Sequence, residues 1–117
     1  MANDDYFVLA YKLLGYLYKC LKEGIRPEWD YMRPHTRDFP VAERYFLYVL
    51  ENLTKDGHIT GLVPVQSAGG AVRFKETTGI RITPKGIAYL EENSMMRRAS
   101  EFLGPAAEIF SGVAQLT

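Results

Sequence analysis

Residues 4 to 23 read as a helix that is apolar around most of its circumference. Phe7, Ala10, Leu14, Leu17 and Leu21 recur at helical spacing, and Tyr6, Leu9, Leu13, Tyr16 and Cys20 form a second stripe beside them. Only Lys12, Lys19, Lys22 and Glu23 mark a wet side. A helix of this kind has to be covered on more than one side. In a chain of 117 residues, which builds a single core, the second cover is expected from a C-terminal extension or another subunit. Asn3 or Asp4 is placed to cap the start of the helix and Gly24 to end it.

The rest of the chain is punctuated by proline and glycine. Pro27, Pro34 and Pro40 forbid a long helix over 24 to 40. A short helix near Glu28 to Met32 fits, with Pro27 at its first turn and Trp29 and Tyr31 or Met32 pinning it, followed by a loop from Arg33 to Pro40. Residues 41 to 56 form the next helix, with Ala42, Tyr45, Phe46, Val49, Leu50 and Leu53 inward, ending at Asp56-Gly57. Residues 58 to 82 turn β-prone (Ile59, Val63, Val65, Val72, Phe74, Ile80, Ile82) around Ser67-Ala68-Gly69-Gly70. This predicts a hairpin whose return strand is bulged or kinked at Thr78-Gly79. Thr83-Pro84 opens a helix over 83 to 103, with Ile87, Leu90, Met95, Ala99 and Phe102 on one face. Gly104-Pro105 breaks it, and residues 106 to 116 form a last short helix.

Helix, short helix, helix, hairpin, helix is the plan of a winged helix-turn-helix. The expected fold is therefore mainly α with a small β-hairpin wing, an α+β class. Residues 1–103 would form the winged domain and 104–117 a C-terminal helical extension.

The segment Ile82-Thr83-Pro84-Lys85-Gly86-Ile87-Ala88-Tyr89-Leu90 resembles the wing-to-helix junction of winged-helix transcription regulators. Extended through Glu91-Glu92-Asn93-Ser94-Met95, it resembles the YjcQ-like family of small bacterial and phage-associated proteins. Asp56-Gly57-His58-Ile59-Thr60-Gly61 and the opening helix from Tyr6 to Gly24 fit the same family, so the matching pieces spread over about residues 5 to 103. The resemblance implies a winged helix and assigns no biochemical role. Read physically, Thr83 satisfies free helix N–H groups and Gly86 lets the helix start approach a neighbouring backbone.

On that plan the outer face of 41 to 56 enters a major groove of double-stranded DNA. Arg44, Tyr48, Asn52 and Lys55 would supply base or phosphate contacts, and Arg73 and Lys75 on the wing, with Arg81, would hold phosphates. Arg33, His35 and Arg37 add charge ahead of the helix. Against this stands the charge balance: 14 Lys and Arg against 14 Asp and Glu, with no third of the chain strongly basic. The expected function is thus DNA-binding transcription regulation, with a winged-helix protein-interaction module as the alternative. A homodimer is expected through the terminal helices, at Leu9, Leu13 and Tyr16 with Ile109, Phe110 and Val113; intrachain packing of the tail is the competing explanation.

Cys20, His35 and His58 lack zinc-type spacing, and no P-loop, serine elbow or dinucleotide fingerprint occurs. No enzyme, metal or cofactor is expected, and no small-molecule effector is specified. A single cysteine excludes an intrachain disulfide, the acidic N-terminus is unlike a signal peptide, and no apolar run approaches the ~20 residues of a membrane helix. A cytoplasmic protein without membrane contact is the expectation.

Overall fold

The computed structural model describes residues 1–66, 69 and 72–107, except the side chains of Val72, Thr77 and Thr78. The elements in chain order are α1 (Tyr6–Glu23), α2 (Glu43–Lys55), β1 (Ile59–Gln66), β2 (Val72–Ile82), α3 (Pro84–Glu92) and α4 (Ser94–Leu103), with a 3₁₀ turn at Gly104–Ala106. β1 and β2 form a two-stranded antiparallel sheet. The class is α+β, as the periodicity indicates, and the element order is compatible with a winged-helix plan.

α1 is the central element. Val8, Leu9, Ala10, Leu13, Leu14 and Leu17 are all but inaccessible. The helix packs against α4 and β2, and against α3 and α2. Its start is later than expected, with Asp5 at the capping position; the Asp5 carboxylate instead accepts from the Ala2 N–H at 2.9 Å. At its end the Gly24 and Ile25 N–H groups donate to Leu21 and Cys20 carbonyls, a closed C-terminal turn.

Several expectations fail here for definable reasons. No helix forms at Glu28 to Met32: Glu28 O accepts from the Tyr31 and Met32 N–H groups in a single turn. Pro27 and Pro34 leave no room for a second turn. The Arg33–Pro40 segment does not hang free but folds onto α1 and α2. Its Phe39 is fully buried, edge-on to Tyr31 and Phe46, and Asp38 O accepts from Lys12 Nζ at 2.8 Å. Lys12 is therefore buried beneath this segment rather than on a wet side, and burial lowers its pKa although Asp38 opposes the shift. The covers of α1 come from the same chain: Tyr48 of α2 meets Tyr6, Glu28 and Tyr31 meet Tyr16, and Asp38 meets Lys12, with α4 and β2 also packed on the helix.

The 83–103 helix is two helices. Asn93 is extended (φ −72°, ψ 134°), and its carboxamide oxygen accepts from the Met95 and Met96 N–H groups at 2.8 and 3.3 Å. The break shifts the helical phase, so Met96 and Ala99 are buried while Met95 is half-buried and Phe102 exposed. Asn93→Ala should cost about 1 kcal/mol, the usual worth of an N-cap, in a urea denaturation series. The short helix expected over 106 to 116 lies mostly outside the described residues, as does all of the Ser67–Gly70 turn except Gly69.

The hairpin is irregular where Thr78-Gly79 places it. Thr60 pairs with Arg81, but Leu62 pairs with Glu76, so residues 77–80 of β2 bulge opposite Gly61. Beyond the bulge the ladder is regular, with Val63 opposite Lys75 and Val65 opposite Arg73.

Candidate nucleic-acid interface

α2 presents one polar face. Inward, Phe46, Val49, Leu50 and Leu53 join the core. Outward, at positions spaced four and seven apart, stand Arg44, Tyr48 and Lys55, all exposed. Neither Arg44 nor Lys55 makes an ion pair among the described residues. Asn52 is half-buried, and its side-chain N–H donates to Tyr48 O at 2.8 Å, so its amide is spent within its own helix. Tyr48 is 54 % exposed, with its ring edge-on to Tyr6 at 6.1 Å. Tyr6 lies among aromatic and acidic neighbours: burial, then Tyr89, Asp56, Tyr48 and Tyr45, push its hydroxyl up to about 12. Tyr6, Tyr45, Tyr48 and Tyr89 thus form a cluster at this end of the molecule.

The wing supplies less free charge than the sequence promises. Lys75 is exposed and makes no ion pair among the described residues. Arg73 is held by Glu43, the first residue of α2. That pair ties the wing to the helix and removes Arg73 from the cations free to meet phosphate. Arg33 and Arg37 face the neighbouring carboxylates of Asp30 and Asp38 at 4.0 and 3.9 Å, and His35 is an exposed turn residue with φ 60°.

Glu76 is a residue that sequence reasoning missed. It accepts from Arg26 at 3.2 Å, from Trp29 Nε1 at 3.3 Å and from the Ile80 N–H at 3.3 Å. Burial alone would raise its carboxyl; the Ile80, Arg26 and Trp29 hydrogen bonds outweigh it and hold the pKa below the ordinary value. One carboxylate thus fastens the Arg26–Trp29 segment to the bulge. The available signal was its position as the only acid in a return strand that also carries Arg73, Lys75 and Arg81.

The junction behind α2 is built as its residue types indicate. Thr83 Oγ1 accepts from the Gly86 N–H at 3.0 Å and donates to Gly57 O at 2.6 Å, and the Thr83 N–H donates to His58 O at 3.0 Å. His58 itself is buried, stacked on Tyr89 at 4.2 Å, with Nδ1 lacking a partner among the described residues. Burial lowers its pKa from 6.5; Asp56 opposes the shift and Lys85 reinforces it. The neutral ring is the form the fold accepts. Stability from this site is therefore complete above about pH 6.5 and is lost as pH falls below it, because the unfolded chain takes up the proton first. His58→Phe keeps the ring stack and should flatten the decline of the thermal midpoint between about pH 7 and pH 5.

The dimer residues fare differently from one another. Leu9 and Leu13 are fully buried within their own chain, which corrects their assignment to a subunit interface. Tyr16 is half-buried; its hydroxyl accepts from the Glu28 N–H at 3.0 Å and its ring packs on Tyr31 at 4.5 Å, so it anchors the following segment. Ile109, Phe110 and Val113 lie outside the described residues. Cys20 is buried, with its thiol pushed up by that burial, and no cluster of three His, Cys, Asp or Glu occurs among the described residues.

The family model described as YjcQ protein matches residues 11–106, from the second turn of α1 through the 3₁₀ turn. The chain belongs to the YjcQ family. Comparison with curated proteins finds no match, and neither does comparison with solved structures. The YjcQ match takes in α2, the hairpin and the Thr83–Gly86 junction, the parts that form the candidate interface. Among the described residues of this YjcQ protein no helix is long and apolar enough to cross a membrane.

Proposed function

We propose that this YjcQ-family chain binds double-stranded DNA as a transcription regulator of winged-helix type. α2 enters the major groove and the β1–β2 hairpin rests on the phosphates. The observation that carries the reading is the outward face of α2, where Arg44, Tyr48 and Lys55 stand exposed with the two cations unpaired among the described residues, and a hairpin bearing Lys75 follows directly. Arg and Lys pair with guanine edges and phosphates, and an exposed tyrosine supplies an amphipathic contact. The role is binding, without catalysis.

Two copies reading paired half-sites would have to join through a surface other than Leu9 and Leu13. Selection of bound duplexes from a random pool should enrich a common site.

The second reading is a protein-interaction module. It is favoured by Val63 and Val65, which lie exposed beside each other on one side of the wing while Arg73 is neutralised by Glu43. Failure of any duplex to enrich, with a protein partner captured through the Val63–Val65 face, would establish it over the DNA reading.

A further inference from the structure

The C-terminal end of α1 and the residue after its glycine cap carry two large aliphatic side chains that the core does not use. Leu21 is 47 % exposed and Ile25 is 52 % exposed, on either side of Gly24. Both line one open cleft of about 450 Å³ between the end of α1, the 25–27 segment and the bulge of β2. Buried Leu17, Cys20 and Ile80 complete its apolar lining. Among the described residues its charged lining is Arg26 and Arg81, and no carboxylate is part of the wall. Arg81 makes no ion pair among the described residues, whereas Arg26 pairs with Glu76 at 3.2 Å.

We propose that this cleft binds a small amphipathic anion, an alkyl monocarboxylate, with its chain against Leu21, Ile25 and Ile80 and its carboxylate on Arg81. A cleft of this size is in the range that holds small ligands, which are bound by mostly apolar walls and a few placed polar groups. The sign of the ligand follows from Arg81: with Arg26 paired to Glu76, Arg81 is the lining cation without an ion pair among the described residues, and it selects a carboxylate over an ammonium or a neutral headgroup. The exposed aliphatic pair supplies the surface that such a tail removes from water. The site is separate from the α2 face, so it stands or falls independently of the DNA reading.

Equilibrium dialysis of the full chain against decanoate, decanol and decyltrimethylammonium, each below its aggregation threshold, tests it. Saturable one-to-one uptake of decanoate in preference to the cation is expected. Arg81→Gln should weaken decanoate roughly tenfold and leave decanol unchanged. Leu21→Glu, at an exposed helical position that tolerates a charge, should abolish decanoate uptake with an unchanged thermal midpoint. No saturable decanoate uptake, equal uptake of the cation, or both variants binding as the parent does would overturn the proposal.

Discussion

Gly61→Ala and Gly86→Ala should each destabilise the fold by about 3–5 kcal/mol, a large part of what holds a small domain together. A methyl carbon at Gly61 would stand 2.1 Å from Gly79 O and 2.6 Å from its carbonyl carbon, at a φ of +96°. Both contacts are backbone atoms of the facing bulge, so relief requires the two strands to part. Gly86 sits in the first turn of α3, where alanine is the better helix former. There a methyl carbon would stand 2.2 Å from His58 O, the carbonyl that accepts the Thr83 N–H, and 2.8 Å from Ile82 Cγ1. The clash outweighs the gain in propensity, since overpacking against backbone leaves nothing flexible to yield. Gly69→Ala, which meets open space, should stay within about 0.5 kcal/mol and serves as the reference. Urea denaturation of the three variants measures this, and Gly61→Ala or Gly86→Ala as stable as the parent would contradict the packing described.

Phe39→Ala should cost about 3–5 kcal/mol, the range for deleting a fully buried aromatic. Phe39 lies in an irregular segment, but its ring is wholly inside, edge-on to Phe46 at 5.4 Å and to Tyr31 at 6.1 Å. Its loss also undermines the cover over Lys12, whose ammonium donates to the adjacent Asp38 carbonyl. Protease cleavage within 31–41 should accelerate along with the fall in stability. A cost under about 1 kcal/mol would mean that this segment is not part of the core.

The contrast between these sites marks what the sequence makes legible. Helical periodicity locates α1 and α2, because each buries a face that recurs at a fixed spacing, and β-prone residues on both sides of a small-residue turn locate the hairpin. The junction at Thr83 and Gly86 is also readable, because capping and close backbone approach each demand particular residue types. Phe39 carries no such signal: a lone aromatic between prolines has no period, and its burial depends on where the loop returns. Asn93 was readable in principle as an N-cap, yet the apolar pattern around it runs on without a gap.

The candidate interface divides along the same line. Exposure of Arg44, Tyr48 and Lys55 follows from the phase of α2, so sequence places them correctly. The pairing of Arg73 with Glu43 and the convergence of Arg26 and Trp29 on Glu76 join residues 30 to 50 positions apart, which no local pattern encodes. The subunit assignment of Leu9 and Leu13 failed for a similar reason. A doubly apolar helix signals two covers but not whether both come from its own chain.

In the proposed DNA complex the outward face of α2 carries the binding charge, a claim that duplex affinity as a function of salt measures. The parent chain should bind duplex with log K falling linearly in log salt between about 50 and 200 mM. The double substitution Arg44→Glu with Lys55→Glu should weaken binding at every salt concentration and flatten the slope by about two, one for each phosphate contact removed. A parent chain that binds no duplex at about 50 mM salt, or a double variant that binds as the parent does, would contradict the claim.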